Sequence, residues 1–120
     1  LDLDTFMTRK FIPSMRKAFQ DAGFEGKEDG DAAWHDSNLL VSVRGIIYPI
    51  FNDYSWDREA RRVYYAGSGG DLALGALEAM NYDRITTPEA AEKILRKAIE
   101  IACKHDIYSG GKIYTYIQEA

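Results

Sequence analysis

This 120-residue sequence has little cysteine and no long apolar runs, which argues against a disulfide-stabilised protein and against a membrane-spanning one. Because Cys103 is the single cysteine, no intramolecular disulfide can form. The lack of disulfides is typical of proteins in a reducing compartment. No apolar run approaches the ~18 residues that a membrane-spanning helix needs, and the first residues have neither region of a signal peptide. We therefore expect a cytoplasmic protein without a membrane partner.

Basic residues are also too few to give the chain a positive electrostatic potential that would attract nucleic acid. Lys and Arg number 15 against 19 Asp and Glu, which gives a net charge of -4 and a pI near 5.1. A chain of this charge does not attract phosphate backbones as a whole, so no nucleic-acid partner is expected. The sequence also has no glycine-rich phosphate loop followed by Lys and Ser or Thr, and no cofactor is predicted from such a motif.

What is present suits one small domain, residues 1–120, with 46% hydrophobic and 28% charged residues. Apolar spacing predicts a helical segment over 4–22, which Pro13 interrupts so that the helix proper begins near Ile12 or Pro13. It also predicts a helix from Asp71 and a helix capped by Thr86 or Thr87. Alternation predicts strands over 38–48, 62–66 and 112–117, with a turn at Gly45. Helices grouped around short antiparallel hairpins indicate an α+β fold.

The polar stretch 25–37 is predicted to be a loop, and its acidic residues raise the question of a metal. The candidate ligands are Asp29, Asp31, His35 and Asp36. Their spacing fits neither an EF-hand nor a zinc site, so we interpret them as part of a solvated loop.

Two short motifs flank the predicted helix pair. Gly67-Ser68-Gly69-Gly70 follows a predicted strand, where glycines allow unusual φ angles and Ser68 or Asp71 can cap the next helix. Asp106-x-x-Ser109-Gly110-Gly111 follows the last predicted helix and is typical of a helix stop with a tight turn. Turn chemistry alone explains both motifs.

In this order, and with a tandem helix pair between them, the two motifs resemble the C-terminal half of a proteasome β-type, HslV-like threonine peptidase subunit. Bacterial and phage-encoded members are the most similar. The resemblance implies an N-terminal-nucleophile (Ntn) hydrolase sandwich, in which antiparallel sheets lie between helix layers. It also implies that the half carrying the nucleophilic threonine is not in this chain, since Thr5 and Thr8 fall in a helical pattern.

The resemblance assigns supporting roles to residues that are present. Ser68 and the Gly69 amide would lie near the nucleophile, with Ser68 relaying a proton, and Asp106 and Ser109 would anchor the threonine amine. The backbone carbonyls of Cys103, Asp106 and Ser109 would bind a monovalent cation such as Na+. No other cofactor is implied.

Three functions follow as hypotheses. The first is a peptidase subunit of which this chain is the downstream part, inactive alone, and the alternatives are a non-catalytic ring scaffold and a small interaction module. The resemblance implies a ring-forming homo-oligomer and an ATP-dependent unfoldase as partners. Because half a sandwich exposes unpaired edges, we also expect this piece to pair with the missing half or with a second copy.

Overall fold

A helical segment, four short strands and a pair of helices follow one another along the part of the chain that the computed structural model describes, residues 2–27, 33–35 and 37–119. The helices are α1 (Leu3–Phe6), α2 (Ile12–Asp21), α3 (Gly70–Ala79) and α4 (Pro88–His105), with a π turn at Met7–Phe11 and a 3₁₀ turn at Tyr82–Arg84. The strands are β1 (Glu25–Lys27), β2 (Ala33–His35), β3 (Leu39–Val43) and β4 (Ile46–Ile50). They form two two-stranded antiparallel sheets, β1–β2 and β3–β4, which confirms the predicted α+β class.

The first helical segment runs past Pro13 without a break. Asp2 caps it by accepting a hydrogen bond from the Thr5 amide at 2.8 Å. Proline has no N–H to donate, and its ring collides with the carbonyl four residues earlier. The wider π turn immediately before α2 places Pro13 in the first turn of that helix, where a missing N–H does no harm.

Gly23 ends α2, as the sequence predicts. Its φ of +79° allows the Gly23 amide to bond Gln20 and the Phe24 amide to bond Phe19 at 2.8 Å. This is the paired hydrogen-bond pattern of a Schellman C-cap, and it comes with an edge-on contact between the Phe19 and Phe24 rings.

A two-residue turn at Arg44 and Gly45 joins β3 to β4. Both residues have positive φ, 51° and 79°, as a type I′ turn requires. The chain then reverses again through a turn closed by the Phe51 amide and the Ser55 carbonyl at 2.8 Å. Isolated antiparallel bridges, Ile47 with Glu59 and Ile50 with Trp56, flank this second turn.

Three predictions of local structure are wrong. Residues 25–27 and 33–35, predicted to be loop, pair as β1 and β2. Residues 62–66 and 112–117, predicted to be strands, join no ladder among the described residues. Alternation favoured strands at these residues, but a strand also needs a partner, and a partner cannot be predicted from the segment's own residues.

The described residues group into two compact units, and the prediction of one domain stays a prediction. The first unit comprises Leu1–Val41 and Tyr48–Arg58. Its core contains Met7, Tyr48 and Ile50, and the Tyr48 hydroxyl donates to Asp4 at 3.0 Å.

His35 belongs to the core of the first unit, so its interpretation as part of a solvated loop is wrong. The side chain is fully buried, and its Nε2 lies 2.7 Å from the Phe51 carbonyl. Its Nδ1 accepts from the Ser37 amide at 3.2 Å, and its ring packs edge-on against Phe19 and Tyr54. Asp29, Asp31 and Asp36, the other candidates, lie outside the described residues.

The second unit comprises Ser42–Ile47 and Glu59–Ala120, and α3 packs on α4 within it. Three of the four buried core residues are alanines; the set is Ala73, Leu77, Ala98 and Ala102. Small side chains on both helices let the two backbones approach closely. Leu72 is 40% exposed, because the buried stripe of α3 follows Ala73 and Leu77.

Candidate functional site

Ser68, Asp106 and Ser109 meet at one end of the α3–α4 pair. The Ser68 hydroxyl donates to Asp106 Oδ2 at 2.6 Å, and the Ser109 hydroxyl donates to the same oxygen at 2.5 Å. Ser68 is 38 residues from Asp106 in sequence, so the fold brings together the two motifs that the sequence analysis singled out. The catalytic roles assigned to these residues remain predictions.

Asp106 and Ser109 are positioned by the end of α4. The Asp106 amide still bonds the Ala102 carbonyl at 2.8 Å, but Asp106 itself is extended and ends the helix. The Ser109 amide then bonds the Asp106 carbonyl at 3.1 Å, which turns the chain so that the Ser109 side chain returns to the carboxylate. The turn chemistry expected at this motif is therefore what places the hydroxyl.

Ser68 is held by the tight turn before α3. Gly67 has a φ of +113°, which side-chain-bearing residues rarely adopt, and its carbonyl accepts from the Gly70 amide at 3.2 Å. This turn sets Ser68 on the exposed side, facing Asp106, and directs the following residues into the helix.

Gly69 makes the cluster sterically possible. A Cβ at this position would lie 2.7 Å from Ser109 Oγ and 3.2 Å from the Cβ of Ala102. The backbone of Gly69 is therefore packed directly beneath the hydroxyl. Sequence reasoning placed the Gly69 amide near the site only through the family resemblance, and four small residues in a row do not reveal which one must lack a side chain.

Tyr65 supports the other side of the turn, and sequence reasoning missed this role. Its ring covers Gly70 so closely that a Cβ there would overlap the ring. Its hydroxyl donates to the carboxylate of Asp71 in the first turn of α3, and this bond raises the pKa of Tyr65. The available signal was an aromatic residue followed five positions later by a glycine, which is not specific.

The cluster is negative and rich in hydrogen-bond acceptors. Hydrogen bonds from Ser109 and then Ser68 lower the pKa of Asp106 below its ordinary value of 3.8, against partial desolvation, so the carboxylate is charged at neutral pH. Asp106 also lies at the C-terminal end of an 18-residue helix, where the helix dipole adds negative potential. The positive charge of Lys104 in the last turn offsets part of that potential.

No group of three or more His, Cys, Asp or Glu side chains is arranged to hold a metal ion within residues 2–27, 33–35 and 37–119. The predicted cation site uses backbone carbonyls and is not covered by that finding. Cys103 is half-buried on α4, and the Asp106 carbonyl accepts the Ser109 amide. Binding of Na+ by these carbonyls stays a prediction.

A separate groove of about 330 Å³ opens at the other end of α4. Apolar side chains dominate its lining, among them Val63, Leu77, Tyr82 and Ile94. It includes none of the three clustered polar residues, and an 18-residue helix separates its ends by about 27 Å. The groove and the polar cluster are therefore distinct features of the second unit.

Two broader findings bear on function. Among the helices that the structure describes, none combines the length and apolar character that a membrane crossing requires. Comparison of the chain with protein-family models, curated proteins and solved structures finds no match.

Proposed function

We propose that this chain is the downstream part of an HslV-like, proteasome-type threonine peptidase subunit, and that Ser68, Asp106 and Ser109 hold the α-amine of a threonine supplied from outside the chain. One observation carries the proposal: two hydroxyls from distant motifs donate to a single carboxylate oxygen. The proposal also rests on the resemblance of both motifs to those of the peptidase family.

The hydrogen-bond directions at the cluster suit an ammonium group. Both serine protons are used on Asp106 Oδ2, so each hydroxyl oxygen keeps lone pairs to accept from a third group. The carboxylate is anionic, and its pKa is lowered. A site made of acceptors and negative charge binds a donor with positive charge, and a protonated α-amine offers three N–H bonds.

A threonine α-amine held here would serve as its own general base. The ordinary pKa of an α-amine is about 7.7–8.0, close to neutral, so it can take the proton of the attacking hydroxyl without a histidine. A neighbouring carboxylate raises that pKa and orients the amine. Ser68 is exposed and bonded to Asp106, which suits it to pass a proton between the amine and substrate.

The remaining family properties belong to the same proposal. The chain would be the C-terminal portion of a layered Ntn-hydrolase sandwich, in a cytoplasmic ring of identical subunits served by an ATP-dependent unfoldase. The carbonyls of Cys103, Asp106 and Ser109 would bind a monovalent cation. A non-catalytic ring scaffold is the alternative if no threonine is supplied.

The test is hydrolysis of fluorogenic peptide amides by the intact parent polypeptide, after sequencing of its mature N-terminus. We expect an N-terminal threonine and a loss of kcat of at least about 10²-fold in Asp106→Asn, because the amine loses its counter-ion. Ser68→Ala should lower kcat by a smaller factor. Asp83→Asn changes an exposed aspartate on the 3₁₀ turn and serves as the matched control, with unchanged turnover.

Two results would overturn the proposal. One is a mature parent without an N-terminal threonine, which leaves only the alternatives, a non-catalytic ring scaffold or a small interaction module. The other is full activity in both Asp106→Asn and Ser68→Ala, which would remove the cluster from the mechanism.

A further inference from the structure

Residues 112–119 follow the last turn of the chain, and side-chain burial alternates along 113–116 as it does in a strand. Among the described residues, none of the backbone amides or carbonyls of this segment bonds another backbone group. Exposed strand edges of this kind are templates for pairing with another chain. We propose that the segment pairs, antiparallel, with the same segment of a second copy of this chain, a contact that goes beyond the proposed peptidase role and does not depend on it.

Side chains hold the segment in place although its backbone pairs with no other backbone group among the described residues. Arg96 of α4 donates to the Ile113 carbonyl at 3.5 Å and to the Thr115 hydroxyl at 3.3 Å. The Thr115 hydroxyl donates to Glu92, one turn earlier on the same helix, at 3.1 Å.

The far end of the segment is fixed to β3. The Gln118 amide nitrogen donates to the Ser42 carbonyl at 3.0 Å, and the Ser42 hydroxyl donates to the Gln118 side-chain oxygen at 2.9 Å. These contacts restrain the segment before any partner arrives, which reduces the conformational entropy lost on pairing.

The two faces of the segment differ. Ile113 and Thr115 are half-buried against α4, whereas Tyr114 and Tyr116 are 81% and 89% exposed. Lys112 lies on the same face as the tyrosines, with its Nζ 5.4 Å from the centre of the Tyr114 ring. Tyrosine is enriched at protein–protein interfaces, so two solvent-facing tyrosines on this segment are typical of an interface.

The sequence of the segment is complementary to itself in one register. A two-fold axis perpendicular to a sheet keeps each side chain on its own face, so only residues an even number apart can oppose each other. With Thr115 opposite Thr115, each Tyr114 faces Tyr116 of the second copy and each Ile113 faces Ile117. Aromatic and β-branched cross-strand pairs of this kind stabilise antiparallel strands.

The expected dimer is weak. One pair of eight-residue strands covers less surface than the ~1,200–2,000 Å² that stable complexes bury. We expect a dissociation constant on the order of 0.1 mM, so a dimer should appear as concentration rises from about 10 µM to about 1 mM. Sedimentation equilibrium measures this directly.

A charge on the tyrosine face should remove the dimer. Tyr116→Lys is expected to weaken association at least about tenfold, because it places a lysine opposite Tyr114 and near Lys112 of the second copy. Tyr108→Lys is the matched control, since Tyr108 is 83% exposed but lies outside the segment, and it should leave association unchanged.

Disulfide cross-linking tests the register, in a Cys103→Ala background that removes the native thiol. Thr115→Cys alone should cross-link under mild oxidation, because the two-fold axis places it opposite itself. Tyr114→Cys and Tyr116→Cys should each cross-link poorly alone and efficiently when mixed.

A chain that remains monomeric at about 1 mM would overturn the proposal, and this is also the result if the segment is reserved for another part of a longer polypeptide. A dimer unaffected by Tyr116→Lys, or equal cross-linking of Tyr114→Cys alone and mixed, would equally overturn it. None of these outcomes bears on peptide hydrolysis by the parent, so the two proposals fail separately.

Discussion

Replacing Gly69 with alanine tests whether the polar cluster depends on a missing side chain. The new Cβ would lie 2.7 Å from Ser109 Oγ, whereas ordinary contact begins near 3.4 Å, so the hydroxyl must move by about 0.7 Å. Such a movement changes the geometry of its 2.5 Å bond to Asp106. Gly69 has a φ of −84°, which alanine adopts freely, so the effect comes from packing and not from backbone strain.

The net cost follows from two opposing terms. Overpacking a tight site costs about 1–3 kcal/mol. Replacing glycine by alanine gains about 0.4–1 kcal/mol by restricting the unfolded chain. We therefore expect Gly69→Ala to lower the free energy of unfolding by about 0.5–2 kcal/mol, measured by urea denaturation.

Gly75 supplies the matched control because it lies inside α3 with no heavy atom within 4 Å of an added Cβ. Gly75→Ala should raise stability by about 0.5–1 kcal/mol. In a double-mutant cycle, Ser109→Ala removes the clashing oxygen and should reduce the cost of Gly69→Ala. Equal effects at the two glycines, or a cost of Gly69→Ala that is independent of Ser109, would refute the reasoning.

Three further predictions concern titration and packing. The pKa of Asp106 is lowered in the folded protein, so its charged form stabilises the fold fully above pH 3.8, and this contribution is lost as the pH falls through the lowered pKa. Ser109→Ala removes one of the hydrogen bonds and should shift the pKa of Asp106 upward in a carbon-13 NMR titration. An unchanged pKa would contradict the assigned bond. Burial, followed by the hydrogen bond to Asp4, raises the pKa of Tyr48 above 10.0. The stability that the neutral hydroxyl contributes is therefore fully present below pH 10.0 and is lost as the pH rises through the raised pKa. Tyr48→Phe should lower the free energy of unfolding by about 0.5–1.5 kcal/mol at neutral pH and reduce the loss of stability at alkaline pH, both measured by denaturant titration. Leu77 is 5% exposed, so Leu77→Ala should lower the free energy of unfolding by about 2–4 kcal/mol in thermal or urea denaturation. Leu72→Ala on the same helix is the control and should lower it by less than about 1 kcal/mol. Equal losses would show that Leu77 is not part of the core.

Local signals predicted the elements that are stabilised by their own residues. Thr86 or Thr87, followed by Pro88, predicted the start of α4, and it is the Thr87 hydroxyl that caps the helix by accepting from the Ala90 amide. Gly23 ends α2 through hydrogen bonds that involve only its neighbours. Arg44 and Gly45 form their turn for the same reason.

Elements that need a distant partner were predicted less well. Residues 62–66 and 112–117 alternate as strands do, but no ladder forms between them and the rest of the described chain. In contrast, residues 25–27 look like a loop because Gly26 and Lys27 carry no β signal, yet they pair with 33–35. Pairing depends on what lies opposite, and single-strand composition does not contain that information.

The candidate site shows the same division. The motifs around Ser68 and Asp106 were recognisable as turns, and the family resemblance indicated that they belong together. The approach of Ser109 to Gly69 depends on two helices packing through alanines, which is a tertiary property. The Tyr65 ring on Gly70 has the same origin and left no specific pattern in the sequence.

The π turn at Met7–Phe11 has a consequence for the length of the first helical segment. Each residue advances an α-helix by about 100°, so the one extra residue in a π turn rotates everything before it relative to everything after it. That rotation keeps Met7 in the core and Asp4 within 3.0 Å of the Tyr48 hydroxyl, while α2 presents Phe19 to His35. Deleting one residue here would restore a regular helix but bring its two halves out of phase. The first unit should therefore tolerate most substitutions between residues 8 and 10, yet lose its core packing on a single deletion there.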